Sequence, residues 1–155
     1  LLIDYGAGPL VRRPDDPADW RTVAPGRRAP DATGLTRELV TGPARLFSVL
    51  TGARHVLLVY VAGAVEVAAI EELCATATAA AHGALDCYLV VGPGADPGDT
   101  VLPVLRDTAG AFADVYSPGP IALHLVRPDG YLSFVSAGLD TSALVRNLEL
   151  TFAAR

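Results

Sequence analysis

Cys74 and Cys87 are the residues of this chain best suited to covalent chemistry. A thiolate can attack disulfides and peroxides, and a pair of thiols can also bind a soft metal ion. Their spacing matches neither the CxxC redox pair nor a zinc site. Because Cys74 falls in a predicted helix and Cys87 at the start of a predicted strand, we interpret both as small buried apolar residues. The sequence is compatible with a disulfide between them but does not require one.

The three histidines lie far apart on different predicted elements, so the sequence shows no metal-binding or catalytic histidine cluster. His55 begins a predicted strand, and His82 ends a predicted helix, where a positive charge suits the helix dipole. His124 interrupts an apolar strand. We interpret His124 as a hydrogen-bonded histidine of the core or of a sheet face, with a ligand pocket around it as the alternative.

Sequence motifs that bind dinucleotides, phosphate or zinc are absent from the chain. It contains no GxGxxG, no GxxxxGKS or GxxxxGKT, no HExxH and no GxSxG. Gly92-Pro93-Gly94 follows a predicted strand, but Pro93 and Pro97 indicate a plain loop rather than a phosphate cradle. We therefore predict no catalytic, cofactor-binding or metal-binding residue in this chain.

The elements that would position any functional side chain alternate between strands and helices. Continuous apolar runs over His55–Ala62 and Leu85–Val91 predict two central strands, because a strand buried on both faces lacks polar alternation. Val65–Gly83 predicts the main helix, since it is rich in alanine, has glutamates early and ends at a glycine. Shorter helices are predicted over Ala44–Leu50, Thr108–Tyr116 and Ala143–Phe152, and an edge strand over Leu35–Val40.

A β-hairpin is predicted near the C-terminal end of the chain. Ile121–Val126 is nearly all apolar, and Tyr131–Ser136 alternates between apolar and polar residues. Between them, Arg127-Pro128-Asp129-Gly130 has the composition of a tight turn, in which glycine adopts a positive φ without steric cost. After the hairpin, Thr141 or Ser142 is predicted to cap the last helix.

The predicted element order, β-α-β-α-β-α-β-β-α, indicates an α/β fold: a three-layer sandwich with a mixed central sheet and helices on both faces. This arrangement resembles the thioredoxin fold. A proline precedes the hairpin of that fold, often after a cis bond, so we expect a cis Gly119–Pro120 bond here. Redox-active thioredoxins carry CxxC at the place that Val61–Val65 occupies, and this stretch contains no thiol. Neither Cys74 nor Cys87 is near this place in the sequence, so we predict no oxidoreductase activity through cysteine.

Composition and charge are those of an acidic globular domain. The 155 residues are 51% hydrophobic and carry a formal net charge of −5. Basic residues are scattered, which argues against a nucleic-acid partner, and no apolar run reaches the roughly 20 residues of a membrane span. With two cysteines and no signal-peptide pattern, a cytoplasmic location is the default expectation.

Prolines divide the chain into two predicted parts. Residues 1–32 contain five prolines, which prevent a long helix or a central strand. We expect this part to be a Pro-rich lead-in from a missing upstream domain, lying outside the core, with Trp20 either packed at the boundary or left exposed. Residues 33–155 are the predicted thioredoxin-like domain. Because the chain starts at Leu1 and contains no methionine, we expect it to be a piece of a longer polypeptide.

Five segments together resemble a known enzyme family: Tyr5–Val11, Pro25–Asp31, Arg45-Leu46-Phe47, the strand start His55–Leu58, and Leu125–Tyr131. They are similar to the C-terminal domain of class A FAD-dependent aromatic hydroxylases, the group of phenol and pentachlorophenol monooxygenases and aromatic-polyketide hydroxylases. The resemblance implies a thioredoxin-like third domain without redox cysteines. It also implies a parent enzyme that uses FAD, NAD(P)H and oxygen, and that binds flavin and substrate in two other domains. No catalytic residue of the family is therefore carried over to this chain.

Three functions are consistent with this sequence. The first is a non-catalytic accessory domain that packs against the FAD and substrate domains of its own monooxygenase or against a second subunit in a homo-oligomer. The second is a free-standing, redox-inactive thioredoxin-like module that binds a small ligand or a partner protein. The third is a peroxiredoxin-like enzyme, which would need Cys74 or Cys87 as its nucleophile. The accessory domain is our leading interpretation.

Overall fold

The protein is built on a six-stranded mixed sheet with helices on both faces, as shown by a computed structural model. The structure describes residues 23–37, 44–50, 52–64, 66–116 and 118–153. In chain order, the elements are β1 (Thr36–Arg37), α1 (Phe47–Leu50), β2 (His55–Val61), α2 (Val67–Ala80), β3 (Leu85–Val91), β4 (Val104–Arg106), α3 (Ala111–Tyr116), β5 (Ile121–Val126), β6 (Leu132–Ala137) and α4 (Thr141–Phe152). The α/β fold class predicted from the sequence is confirmed.

The strands lie in the order β1-β4-β3-β2-β5-β6. Strands β2, β3 and β4 run parallel, whereas β5 and β6 run antiparallel to their neighbours. All seven residues of β2 are buried, because other strands cover both of its edges and helices cover both faces. The predicted element order lacked only β4, whose three residues are too few to give a periodic signal.

Two apolar cores lie on opposite faces of the sheet and produce the three layers. Successive side chains of a strand point to opposite faces. Accordingly, Leu57, Val59 and Val61 belong to the first core, and Leu58 and Tyr60 belong to the second. Helices α2 and α4 complete the first core, whereas α1, α3 and the residues before β1 complete the second.

The segment before β1 is part of the second core, so the expectation that residues 1–32 lie outside the core is wrong for the portion that the structure describes. Val23, Ala29 and Ala32 are buried members of this core. Prolines prevent regular structure in this segment, but the small apolar side chains between them fill space beside the sheet. Trp20 and the remainder of residues 1–22 lie outside the described residues.

The hairpin of β5 and β6 forms as predicted. Gly130 has a φ of 85°, which glycine adopts without steric cost, and the Asp129 carboxylate accepts a hydrogen bond from the Tyr131 N–H at 3.2 Å. The chain reaches the hairpin through a trans Gly119–Pro120 bond, so the predicted cis bond is wrong. Gly119 reverses the chain instead, with a φ of 66°.

Helix α4 begins earlier than predicted because Asp140 caps it. The Asp140 carboxylate accepts a hydrogen bond from the Ala143 N–H at 3.1 Å and satisfies one donor of the first turn. Thr141 and Ser142, the predicted caps, already lie inside the helix. The buried face of α4 packs on the first core beside α2.

Candidate functional site

Small residues without a reactive group occupy the place at which redox-active thioredoxins carry their thiols. Strand β2 ends at Val61, and the exposed residues 62–64, Ala-Gly-Ala, lead towards α2. Cys87 lies elsewhere along the sheet, because it is paired with Leu57 in the first half of β2. Within the described residues, no thiol is therefore available at this place.

The two cysteines are neighbours in space. Cys74, on α2, and Cys87, on β3, line the same groove. Both cysteines are free thiols. Cys74 is buried as we interpreted, but Cys87 is only half-buried, so the interpretation of both as buried residues is wrong for Cys87.

Hydrogen bonding makes these two thiols chemically unequal. Hydrogen bonding with Cys87, followed by burial, raises the pKa of Cys74. The same bond lowers the pKa of Cys87, and the Thr78 hydroxyl, whose Oγ1 lies 3.8 Å from the Cys87 Sγ, acts in the same direction. Burial opposes this effect without reversing it. Cys87 is therefore the thiol that ionises first.

His124 contacts two aromatic rings within the second core. Its ring centroid is 5.0 Å from that of Tyr116 and 6.0 Å from that of Phe112, with edge-to-face geometry in both cases. The residue is 1% exposed, and its Nδ1 has no hydrogen-bond partner among the described residues. The prediction of a core histidine is confirmed, but its expected hydrogen bond is missing at Nδ1. Burial lowers the pKa of His124 to about 4, so the ring is neutral at pH 7.

Sequence analysis missed one buried carboxylate, Asp107, which stands before α3. Its Oδ1 accepts a hydrogen bond from the Phe112 N–H and its Oδ2 accepts one from the Ala113 N–H, both at 3.0 Å. The Asp107 N–H donates to the Val91 carbonyl at 2.8 Å. These bonds fix α3 to the sheet and satisfy the carboxylate, which indicates a structural role. An aspartate followed by Gly110 ahead of a helical pattern is the signal that could have identified this cap.

Gly92, in the glycine loop after β3, packs closely against Tyr60. The Tyr60 ring stacks on Phe112 with 5.4 Å between centroids, and its hydroxyl lies against Gly92. A Cβ atom at position 92 would stand 2.5 Å from that hydroxyl oxygen. Burial and the negative charge of Asp107 both raise the pKa of Tyr60. Gly92 is therefore required for packing.

Backbone hydrogen bonds attach the segment Val23–Ala32, which we call the lead-in segment, to the β5–β6 hairpin. The Gly26 N–H donates to the Leu132 carbonyl, and the Leu132 N–H donates to the Arg27 carbonyl, each at 2.8 Å. A third bond, also 2.8 Å long, joins the lead-in segment to the carbonyl of Gly130 in the hairpin turn. The lead-in segment is therefore held against β6.

Helices α1 and α3 hold the C-terminal end of the lead-in segment. The Tyr116 hydroxyl donates to the Pro30 carbonyl at 2.6 Å. The Asp31 carboxylate, directly before Ala32, accepts a hydrogen bond from the Phe47 N–H at 3.0 Å and pairs with Arg45 at 2.6 Å. The lead-in segment, which begins at Val23, is therefore fixed to the domain.

Two grooves open on opposite faces of the sheet. The first, of about 250 Å³, lies beside the lead-in segment and is called the hairpin groove; it is lined by Arg28, Phe47, Leu50, Pro128, Asp129 and Gly130. The second, of about 540 Å³, is called the cysteine groove, and its lining includes Glu71, Cys74, Thr78, Cys87, Val101 and Leu102. His124 lines neither groove, so neither supports the ligand pocket considered for it.

Two further features are missing from the described part of the chain. No three of its histidine, cysteine, aspartate and glutamate side chains are grouped so that they could hold a metal ion. None of its helices is long and apolar enough to cross a membrane.

The family model for the aromatic-ring hydroxylase C-terminal domain matches residues 22–154. The chain belongs to this family. The match begins just before the lead-in segment, and it confirms the resemblance seen in the sequence. No curated protein sequence matches the chain.

Solved structures with this fold include flavoenzymes and thioredoxin-like proteins. The flavin-dependent monooxygenase PieE, solved with FAD and substrate, has 18% identity and a TM-score of 0.65, over 94% of this chain and 24% of that protein. Aklavinone-11 hydroxylase, solved with FAD and aklavinone, has 22% identity and a TM-score of 0.62, over 93% of this chain and 25% of that enzyme. A thioredoxin-like protein from Porphyromonas gingivalis has 14% identity and a TM-score of 0.61, over 81% of this chain and 92% of that protein.

These similar proteins fall into two groups according to the fraction of their own length that the chain covers. The chain spans about a quarter of the two flavoenzymes but nearly the whole of the thioredoxin-like protein. At these identities the likeness shows the fold alone. The chain is therefore a member of the aromatic-ring hydroxylase C-terminal family that has a thioredoxin-like fold.

Proposed function

We propose that this chain is a non-catalytic accessory domain of an FAD-dependent aromatic-ring monooxygenase, and that it packs against the other domains of that enzyme or against a second subunit. The observation that carries the proposal is the attachment of the lead-in segment to the hairpin, α1 and α3. A flexible linker would leave the domain free to reorient. The hydrogen bonds from Gly26, Leu132 and Tyr116 instead hold the lead-in segment against the domain, which supports a fixed point of attachment for upstream polypeptide.

The described residues do not fit FAD. A dinucleotide site needs a glycine-rich turn between a strand and a helix whose N-terminus faces the pyrophosphate. The glycine loop after β3 leads to β4 instead of a helix, and Gly92 is occupied by its contact with Tyr60. Flavin, NAD(P)H and the aromatic substrate would therefore be bound by other domains of the parent enzyme, in the cytoplasm.

The hairpin groove is the proposed packing surface. It lies beside the lead-in segment, and it combines the apolar side chains of Phe47 and Leu50 with the charged side chains of Arg28 and Asp129. An apolar centre with a polar rim is the usual composition of an interface. The groove is also close to the attachment point of the upstream polypeptide, so an upstream domain can reach it without a long connection.

Replacing Phe47 with aspartate in the full-length protein tests this surface. A charge at the centre of an interface is buried without a partner, so we expect Phe47→Asp to lower flavin retention, the coupling of NAD(P)H oxidation to hydroxylation, or subunit association. Leu150→Asp is the matched control, because Leu150 is 62% exposed on α4, across the sheet from α1. If both folded variants behave like the parent in all three measurements, the hairpin groove is not the packing surface.

A second variant tests whether the thioredoxin-like redox position takes part in catalysis. Ala64→Lys places a long charged side chain on the exposed turn between β2 and α2. A surface change of this kind alters stability by about 0.5 kcal/mol or less, so hydroxylation should stay within about twofold of the parent rate. A loss of turnover with flavin still bound would contradict a non-catalytic role.

A further inference from the structure

The cysteine groove brings a half-buried thiol and a buried thiol together on a face that the proposed function leaves unused. Cys74 projects from the middle of α2 and Cys87 from the first half of β3, and both line the groove. Cys74 is buried, whereas Cys87 is partly exposed to the groove. Nothing in this arrangement depends on the residues 62–64, where thioredoxin chemistry would occur.

The groove gives small molecules a route to Cys87. Its volume is about 540 Å³, and its outer wall includes Val101, which is 86% exposed. The Glu71 carboxylate holds this wall in place: it accepts hydrogen bonds from the Thr100 hydroxyl at 2.8 Å and from the Val101 N–H at 3.0 Å. A small neutral oxidant can therefore approach Cys87 between α2 and the loop before β4.

Thr78 can donate a hydrogen bond to Cys87 once the Cys87 thiol has ionised. Its hydroxyl donates to the Cys74 carbonyl at 2.7 Å, while its oxygen lies 3.8 Å from the Cys87 Sγ. A hydroxyl has one hydrogen, which can rotate from the carbonyl to a newly formed thiolate. The Thr78 hydroxyl can thus donate to the Cys87 thiolate.

We propose that Cys74 and Cys87 are a reversible oxidation site for hydrogen peroxide, in which Cys87 reacts first and Cys74 then closes a disulfide. In the first step, the Cys87 thiolate attacks peroxide, the O–O bond breaks, and Cys87 sulfenic acid and hydroxide form. In the second step, Cys74 sulfur displaces the hydroxyl group from Cys87 as water. The two thiols lose two electrons in total, and one peroxide becomes two waters.

The disulfide would join α2 covalently to β3. External thiols would reverse the reaction by thiol–disulfide exchange, which returns both cysteines to the reduced state. This reaction consumes one peroxide for each oxidised pair, so it differs from the catalytic peroxidase considered from the sequence. It also needs no flavin, and its readout is therefore independent of the proposed function.

The arginine positions allow a direct test in the full-length protein. Trypsin cuts after Arg54 and after Arg106 and nowhere between them, so a single peptide carries both cysteines. After treatment of the reduced protein with stoichiometric peroxide, we expect this peptide to lose the mass of two hydrogen atoms, and dithiothreitol to restore it. Unchanged thiols, or oxidation that bypasses Cys87, would overturn the proposal.

Variants separate the two steps. Cys74→Ser should stop the reaction at Cys87 sulfenic acid, which dimedone traps, and Cys87→Ser should abolish both dimedone labelling and the disulfide. Thr78→Val keeps the shape of Thr78 without its hydroxyl and should slow labelling of Cys87 about threefold to tenfold. If Cys74→Ser does not fold, iodoacetamide labelling of the native, unmodified protein tests the order of reaction instead. Iodoacetamide should modify Cys87 before Cys74. The reverse order would contradict the proposal.

Discussion

The Tyr116 hydroxyl donates a hydrogen bond to the Pro30 carbonyl at 2.6 Å, across 86 residues of sequence. This bond ties α3 to the lead-in segment at the side of the second core. Burial, with a smaller contribution from the charge of Asp31, raises the pKa of Tyr116, so the hydroxyl remains a donor throughout the physiological range. The contact turns a proline-rich stretch into a fixed part of the domain.

Removing this hydroxyl should loosen the lead-in segment without unfolding the domain. Tyr116→Phe leaves the Pro30 carbonyl without its partner, at a cost of about 1 kcal/mol. We expect amide hydrogen exchange in residues 23–32 to become about fivefold faster in the full-length protein. Tyr88→Phe is the control, because no hydrogen bond of the half-buried Tyr88 hydroxyl is seen within the described ranges. Equal exchange rates in the two variants would show that the Tyr116 bond is dispensable.

Acid should destabilise the domain through His124. The pKa of His124 is about 4 in the folded protein, below its ordinary value of 6.5. Below pH 6.5, His124 binds a proton in the unfolded chain but stays neutral in the folded protein. Its contribution to the unfolding free energy is therefore complete above pH 6.5 and is lost as the pH falls towards 4. By this linkage, His124 should reduce the unfolding free energy by about 2 kcal/mol between pH 7.5 and pH 5.

Urea unfolding of His124→Leu measures this contribution, since other groups titrate equally in both proteins. We expect the variant to lose about 2 kcal/mol less than the parent protein over the same pH interval. His82→Asn is the control: His82 is exposed, and asparagine tolerates its φ of 51°. A pH dependence that His124→Leu leaves unchanged would mean that His124 is not the group responsible.

A methyl group at position 92 should disturb the stacked rings of the second core. Gly92→Ala would place its Cβ 2.5 Å from the Tyr60 hydroxyl oxygen, and Tyr60 is held against Phe112. Overpacking of this kind costs about 1–3 kcal/mol. Gly63→Ala is the matched control, because a Cβ there meets nothing within 4 Å. Thermal unfolding midpoints compare the two, and equal midpoints would contradict the predicted clash.

Loss of the Asp107 carboxylate should destabilise α3. Asp107→Ala leaves the N–H groups of Phe112 and Ala113 without acceptors, and each buried unsatisfied donor costs about 1–3 kcal/mol. We therefore expect a loss of about 2–4 kcal/mol in the unfolding free energy. Asp114→Ala, an exposed position in the first turn of the same helix, should change it by about 0.5 kcal/mol or less. Similar values for both variants would refute the capping role.

Sequence patterns were sufficient to predict features that depend on a single strand or turn. The apolar runs of β2 and β3 identified the two central strands, and Gly130 identified the hairpin turn. Asp140 was missed as a cap because three capping residue types, Asp140, Thr141 and Ser142, follow one another. Backbone hydrogen bonding, which a pattern does not contain, decides which of them is the first helical residue.

Relationships between elements could not be predicted in the same way. The contact between Cys74 and Cys87 depends on the rotation of α2 over the sheet, which small changes in side-chain packing alter. The buried surroundings of His124 depend on where α3 places Phe112 and Tyr116. The lead-in segment gave no periodic signal, since its order comes from hydrogen bonds to the distant hairpin.

The intact mass and flavin content of the natural polypeptide test the accessory-domain proposal most directly. Because the chain spans 24% and 25% of PieE and aklavinone-11 hydroxylase, we predict a polypeptide about four times the 16.1 kDa of this chain. It should carry one bound FAD that NAD(P)H reduces. A natural polypeptide of 16.1 kDa without flavin would contradict the proposal and identify a free-standing thioredoxin-like module.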